Sequence, residues 1–242
     1  MNKKLTSLLL ASAVGCTALH AEDYAIITEV GFASEYLFRG VKEAGPTIMP
    51  SVDIRSQGSP AGELYLGGWA ATPARARIPG AENEVNVYAG FDAELQHNFF
   101  VDLGATYFHF PMAGLREDTV EPYLGIRLEE IADTWLTAAG YIYYDIDKSF
   151  TAEAFLEYKA PFGGEIPASL DLGLFVGFTD EDRRFEEDYF YYGVSAAVPY
   201  RLSEVSTLSA GVHYVGRNSL DDTILESDRD FLYWTTSVTM SF

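Results

Sequence analysis

The chain has 242 residues, 48% of them hydrophobic and 14% aromatic, with a formal net charge of −20. A chain this apolar is not disordered, and its acidity excludes the basic surface on which a nucleic-acid-binding protein tracks phosphates. A single cysteine excludes both a disulfide framework and a cysteine-based zinc site.

The first segment reads as an address. Lys3 and Lys4 precede an uncharged, mostly apolar run from Leu5 to Leu19, and Ala21 stands just before the first acid, Glu22. This is the pattern of a secretory signal over residues 1–21, cut after Ala21. Leu19 is large for the position two residues before Ala21, which leaves the cleaved bond open. Ala13-Val14-Gly15-Cys16 offers a second reading, a lipoprotein box with Ala13 in place of the usual Leu. Cleavage after Ala21 removes Cys16, and a cysteine-free chain suits an oxidising compartment. No later stretch has the roughly 18 apolar residues of a membrane helix. Residues 22–242 then read as one exported domain with no helical anchor.

From Tyr24 to Phe242 the dominant signal is alternation with a period of two. In EVNVYAGFDAEL, residues 84–95, one face carries Val85, Val87, Ala89, Phe91, Ala93 and Leu95, and the other carries Glu84, Asn86, Tyr88, Gly90, Asp92 and Glu94. Successive side chains of a strand point to opposite faces, so this segment has one greasy face and one wet face. The same pattern recurs at 150–159 and 170–178. In chain order, strands are expected near 24–34, 45–56, 62–72, 83–95, 98–110, 118–129, 134–146, 149–161, 168–178, 188–200, 205–216 and 231–242. Each has about 9–13 residues, which suits a tilted strand crossing a bilayer and exceeds the ordinary strand of about 5–6. The fold class is therefore all-β, a transmembrane up-and-down antiparallel barrel of about 12 strands.

The connections alternate in length. Those at 35–44, 73–82, 111–117, 179–187 and 217–230 are long, with a tight Asp147-Lys148 pair as the exception. Those at 57–61, Gln96-His97, 130–133, 162–167 and 201–204 are shorter. An outer-membrane barrel has short periplasmic turns and longer outer loops, and an even strand number puts both termini in the periplasm. In the last segment Trp234, Thr236, Val238, Met240 and Phe242 share one face. An alternating final strand ending in Phe resembles the C-terminal signature that barrel-assembly machinery reads, so that machinery is an expected partner through Phe242, alongside outer-membrane lipid.

If the greasy faces meet lipid, the others line a lumen. The charged residues on them are Glu29, Asp53, Arg55, Glu63, Glu84, Asp92, Glu94, Asp102, Glu121, Arg127, Glu129, Asp145, Glu153, Glu157, Lys159 and Asp171. All but Arg55, Arg127 and Lys159 are acidic, which favours small cations over anions in the bore. Tyr65, Trp69, Tyr88, Tyr123, Tyr141, Tyr143, Phe155, Phe175 and Tyr191 fall on the same faces, interleaved with glycines such as Gly67, Gly90, Gly104 and Gly177. They point to a partly filled lumen, since small barrels fill their interiors with side chains. The candidate selectivity residues are Asp92, Glu121, Glu153, Arg127 and Arg39.

Arg39 belongs to Tyr36-Leu37-Phe38-Arg39-Gly40, which follows the first strand. Gly40 suits a turn and Arg39 can turn inward to the acidic lumen. The run ASEYLFRGVKEAGPTIMPSVDI, residues 33–54, resembles the N-terminal signature of the TorF-like porins, a family long catalogued only as a conserved bacterial protein of unknown function. The match rests on Tyr36, Phe38, Arg39, Gly40 and Pro50, with the signal peptide, the length and the terminal Phe242. The resemblance implies an outer-membrane β-barrel porin with no established substrate. A turn that only builds the loop is the alternative for the motif itself.

Two acidic stretches, 180–188 and 221–230, could take Ca²⁺ or Mg²⁺ on their carboxylates, but their spacing matches no EF-hand and a solvated loop explains them as well. Hydrolase chemistry has little support. His97, His109 and His213 have no Ser two residues away, and neither GxSxG nor HExxH occurs. No cofactor is expected. The sequence thus predicts a channel for passive diffusion of small solutes, with a non-conducting, ligand- or ion-binding barrel as the alternative.

Overall fold

The computed structural model describes residues 24–57, 59, 62–74, 83–111, 118–146, 149–164, 166–180, 188–218 and 229–242. Its strands are β1 (Tyr24–Ala33), β2 (Tyr36–Phe38), β3 (Val41–Ala44), β4 (Thr47–Ser56), β5 (Glu63–Pro73), β6 (Glu84–Gln96), β7 (Phe99–His109), β8 (Thr119–Leu128), β9 (Leu136–Tyr144), β10 (Phe150–Pro161), β11 (Ser169–Asp180), β12 (Tyr189–Arg201), β13 (Ser206–Arg217) and β14 (Asp230–Ser241). β1 and β4–β14 close, each beside its neighbour in sequence, into an antiparallel barrel of twelve strands. β2 and β3 pair only with each other.

The expected twelve strands match β1 and β4–β14 to within two or three residues. Two local readings change. The turn between β6 and β7 is His97-Asn98 rather than Gln96-His97. The connection 35–44 is not a plain loop but the β2–β3 hairpin. Strands of three and four residues are too short to leave an alternation signal, which is why the sequence reads them as connection.

Burial in this barrel runs inside out. On β6, Val85 and Val87 are 39% and 47% exposed, while Glu84 and Asn86, which alternate with them, are only 4% and 8% exposed. Leu64, Leu66, Leu103, Ile126, Val194 and Leu232 are likewise exposed. Leaving such side chains in water forgoes about 1.5–3 kcal/mol each, so this outer surface is at home against hydrocarbon. Among the described residues no helix is long and apolar enough to cross a membrane; the crossing is made by strands.

The barrel closes where its ends meet. Val30 lies opposite Val238 in the β1–β14 pairing, and Ile26 and Phe242 exchange backbone hydrogen bonds of 3.0 and 2.9 Å. The strand bounds leave the segments 34–46, 74–83, 110–118, 145–149, 181–188 and 218–229 at one end. The other end has 57–62, 97–98, 129–135, 162–168 and 202–205. Most of the former set is longer, as expected. Residues 1–21, the Asp147-Lys148 turn and most of the acidic stretches 180–188 and 221–230 lie outside the described residues, so the signal and loop-cation readings stay expectations.

Inward-facing rings and glycines interlock. Tyr65 stands opposite Gly90, Tyr123 opposite Gly104 and Tyr191 opposite Gly177 on the neighbouring strand. A β-carbon on any of these glycines would collide with the ring lying over it. The glycines are slots that let large rings lie flat along a narrow wall, the packing role expected of them.

Candidate lumen site

The site starts from a two-residue turn. Phe38 pairs with Val41, leaving Arg39 and Gly40 at the tip with φ of 49° and 76°. Tight hairpins favour positive φ at both central residues, because that twist matches the strands. For Arg39 this backbone costs about 1–2 kcal/mol, so its surroundings must hold it. They do: Nη1 and Nη2 of Arg39 donate to Oε2 and Oε1 of Glu121, both at 2.7 Å. The guanidinium also lies 4.7 Å from the centre of the Phe38 ring and 4.8 Å from that of Tyr143. The two side chains of the ion pair are 12% and 6% exposed.

The hairpin crosses the lumen rather than lying over the rim. It leaves from between β1 and β4, yet Tyr36 Oη donates to Glu84 of β6 at 3.0 Å. The Tyr36 ring lies 5.6 Å from Trp69 of β5, and Phe38 lies 6.0 Å from Phe108 of β7. On the far side, Val41 packs on Tyr189 and Tyr191 of β12. A β-carbon on Gly40 would come within 2.6 Å of the Tyr191 β-carbon, so glycine is required there by both φ and space. Arg39 and Gly40 thus build a turn, and the turn carries Arg39 inward to an acid of the lumen wall.

Two cavities flank the tip. One of about 340 Å³ is lined by Phe38, Trp69, Asn86, Tyr88, Phe108 and Tyr143 among others. A smaller one of about 130 Å³ lies against Phe155, Phe175, Tyr191, Val215 and Tyr233. Arg39 and Glu153 line both.

The predicted selectivity residues all lie on this inner surface, but most are not free charges. Glu121, near the start of β8, is held by Arg39. Asp92 accepts from Arg127 Nη2 at 2.9 Å, and Arg127 Nε donates to Glu129 at 2.7 Å. Asp53 is paired with Arg55 at 2.7 Å. Tyrosines donate to several other carboxylates: Tyr65 to Asp102 at 2.6 Å and Tyr191 to Glu153 at 2.6 Å. Tyr65 and Tyr123 also join hydroxyl to hydroxyl. Glu153 has no ion-pair partner among the described residues. The ion pairs gather on the β4–β8 wall, whereas β10–β12 contribute Glu153, Phe155, Phe175 and Tyr191.

Arg127 of β8 reaches Asp92 of β6 across β7, a contact that no spacing along one strand foretells. The sequence reading put Glu84 and Asn86 on the inner face but not under the hairpin, where Glu84 accepts from Tyr36 and from Asn86, and it did not single out Tyr189, which packs on Val41. The buried polar start of β6 was the available signal, because a carboxylate and an amide on one inner face need partners. No described cluster of three or more His, Cys, Asp or Glu could hold a metal. At the long-loop rim Asp118, just before β8, accepts from Tyr107 and His109 at the end of β7 and from the Phe110 backbone N–H, which hold its carboxyl low, at about 2. Ser195 lies opposite His213 in the β12–β13 pairing, but its Oγ is turned towards Gly173, and His213 Nε2 meets Thr235 instead at 2.8 Å. That geometry lacks a serine–histidine pair.

A closed barrel with an apolar outside and a polar, partly occluded inside defines the class: an outer-membrane-type β-barrel. The chain belongs to the family described as Bacterial protein of unknown function (Gcw_chp), whose model matches residues 17–241. No curated protein sequence matches it. Among solved structures it is similar to the KdgM porin, at 11% identity and a TM-score of 0.54, covering 90% of this chain and 99% of that one. The NanC porin matches at 9% identity and 0.54, covering 89% and 98%. The COG4313 outer membrane channel from Pseudomonas putida F1 matches at 9% and 0.55, covering 90% and 95%. At such identities the likeness establishes the fold.

Proposed function

We propose that this protein is an outer-membrane channel through which small solutes diffuse passively, a porin of the TorF-like kind, with a preference for cations. The observation that carries the reading is the lumen itself, walled by polar and charged groups and left with two cavities beside an inward hairpin. The similarity of fold to KdgM, NanC and the COG4313 channel supports it. KdgM has been solved in complex with oligogalacturonate, a polyanion. The inner face here, where acids outnumber Arg39, Arg55, Arg127, Lys159 and Arg217, disfavours such a ligand and supports cations. Mechanistically the wall supplies a negative potential, and the hairpin sets the width at the long-loop end. That end faces the exterior, both termini lie in the periplasm, and Phe242 is offered to the assembly machinery. The hairpin across the lumen also favours a second reading, a non-conducting barrel that binds its ligand.

Planar-bilayer recording of the refolded protein separates these. The channel reading expects conductance with a reversal potential favouring K⁺ over Cl⁻ at 0.1 M salt. That preference should shrink at 1 M as the screening length falls from about 10 Å to about 3 Å. Gly40→Ala, which cannot keep the tip against Tyr191, should raise conductance. Neutralising Asp92, Glu121 and Glu153 together should push selectivity towards anions, since Arg39 then loses its partner and Arg127 keeps only Glu129. A protein silent at every voltage until residues 36–44 are deleted would favour the binding barrel, and an anion-selective wild type would sink the cation preference.

A further inference from the structure

The lumen already contains one cation site, occupied by the protein's own side chain. Arg39 sits against the rings of Phe38 and Tyr143 with its charge met by Glu121. Beside it the same ingredients recur without a cation. Glu153 lines the 340 Å³ cavity together with Trp69, Tyr88, Phe108 and Tyr143, and no ion-pair partner for it occurs among the described residues. We propose that this cavity binds a small organic monocation, an amine or a quaternary ammonium, with its charge at Glu153 and its carbon skeleton against the surrounding rings. The proposal rests on the channel reading for the ligand's way in, and it names the class of solute that the channel handles.

The charge balance favours a monocation. The charged groups on the cavity wall are Arg39, Glu121 and Glu153. Arg39 is bound bidentately to Glu121 and also feels the charge of Glu153, so the three groups together carry one net negative charge, and Glu153 is the carboxylate that no cation among the described residues contacts directly. Tyr191 donates a hydrogen bond of 2.6 Å to Oε1 of that carboxylate, which orients it without neutralising it. Aromatic faces attract cations through their negative quadrupole, most strongly where water is excluded, and Trp is the best such face. A bare metal ion would find one carboxylate here, too few ligands to replace its hydration shell. An alkylated ammonium needs no such shell, and its apolar surface gains from the rings. The volume lies at the small end of the range for ligand pockets, about 300–1,000 Å³.

The test does not depend on conduction. In detergent-refolded protein carrying Trp135→Phe and Trp234→Phe, both on the outer surface, Trp69 is the remaining tryptophan of the barrel and reports on the cavity. Titration with choline should give a saturable change in its fluorescence, and the neutral isostere 3,3-dimethylbutan-1-ol should bind roughly tenfold more weakly or worse. Glu153→Gln should weaken choline binding by about the same factor. Glu157→Gln, on the same strand and face but outside the cavity, should not. Heat-modifiable mobility on gels checks that each variant is folded. Equal binding of choline and its neutral isostere, no saturable binding of either, or an unaltered Glu153→Gln would overturn the proposal. The isostere comparison uses wild-type Glu153 and stands even if the substitution prevents folding. Choline binding without conductance would sink the channel reading alone, and conductance without choline binding would sink the site alone.

Discussion

Arg39 shows how a single side chain in a lumen is fixed from several directions. Its backbone is left-handed, a conformation that would relax if nothing opposed it. A bidentate bond to Glu121 and two aromatic faces oppose it. Both partners are largely buried, so removing one leaves the other charged in a poorly solvated place. Arg39→Ala is therefore expected to destabilise the barrel by about 3–5 kcal/mol while raising its cation preference. Urea unfolding of the refolded protein reads the first effect and reversal potentials read the second. Adding Glu121→Ala should recover much of the lost stability, because the stranded charge then disappears. A single variant as stable as the wild type would mean that the pair is incidental.

At the scale of the element, the wall and the hairpin are built on the same device, a glycine opposite a ring. Gly104 lies under Tyr123, and a β-carbon there would also come within 2.8 Å of the Ala89 carbonyl oxygen on the neighbouring strand. Backbone cannot step aside as a flexible side chain can. Gly104→Ala is expected to cost about 1–3 kcal/mol, the usual range for overpacking, and to lower the yield of folded barrel. At Gly68 the same methyl would meet only the Asn86 carbonyl oxygen, at 3.6 Å, so Gly68→Ala should be close to neutral. Paired unfolding curves check the contrast, and equal losses would refute the slot argument. The sequence placed these glycines and rings on the inner face but could not match them, because matching requires the register between strands.

For the whole molecule, sidedness and assembly carry the remaining predictions. Cysteines placed in 73–82 or 179–187 should react with an impermeant thiol reagent on intact cells, and those in 57–61 or 201–204 should not. With Cys16, the sequence's single cysteine, replaced by Ser throughout the series, the introduced thiol is the one read; the reverse pattern would invert the barrel. Phe242 closes the β1–β14 seam through its backbone and exposes its ring outward. Deleting it should reduce the amount of barrel in the outer membrane far more than Thr239→Ala, whose side chain faces inward to Glu29. Similar yields would make the terminal residue dispensable.

Strand number, strand bounds, the apolar outside and the polar inside were all legible in the sequence. Each follows from the alternation of side chains along one strand, a local property, and from lipid and water rewarding opposite faces. The inner placement of Asp92, Glu121, Arg127 and Glu153 came with them. Only the tertiary structure decided which charges are spent on each other. Arg127 meets Asp92 across an intervening strand, and Arg39 meets Glu121 across the lumen, both by closure of the barrel. The same closure turned residues 36–44 from an apparent loop into a hairpin that divides the bore, and it left Glu153 among aromatic rings with no ion-pair contact among the described residues. Those contacts join residues far apart in the chain, and their pairing depends on register, barrel width and side-chain reach, none of which is written in the alternation of one strand.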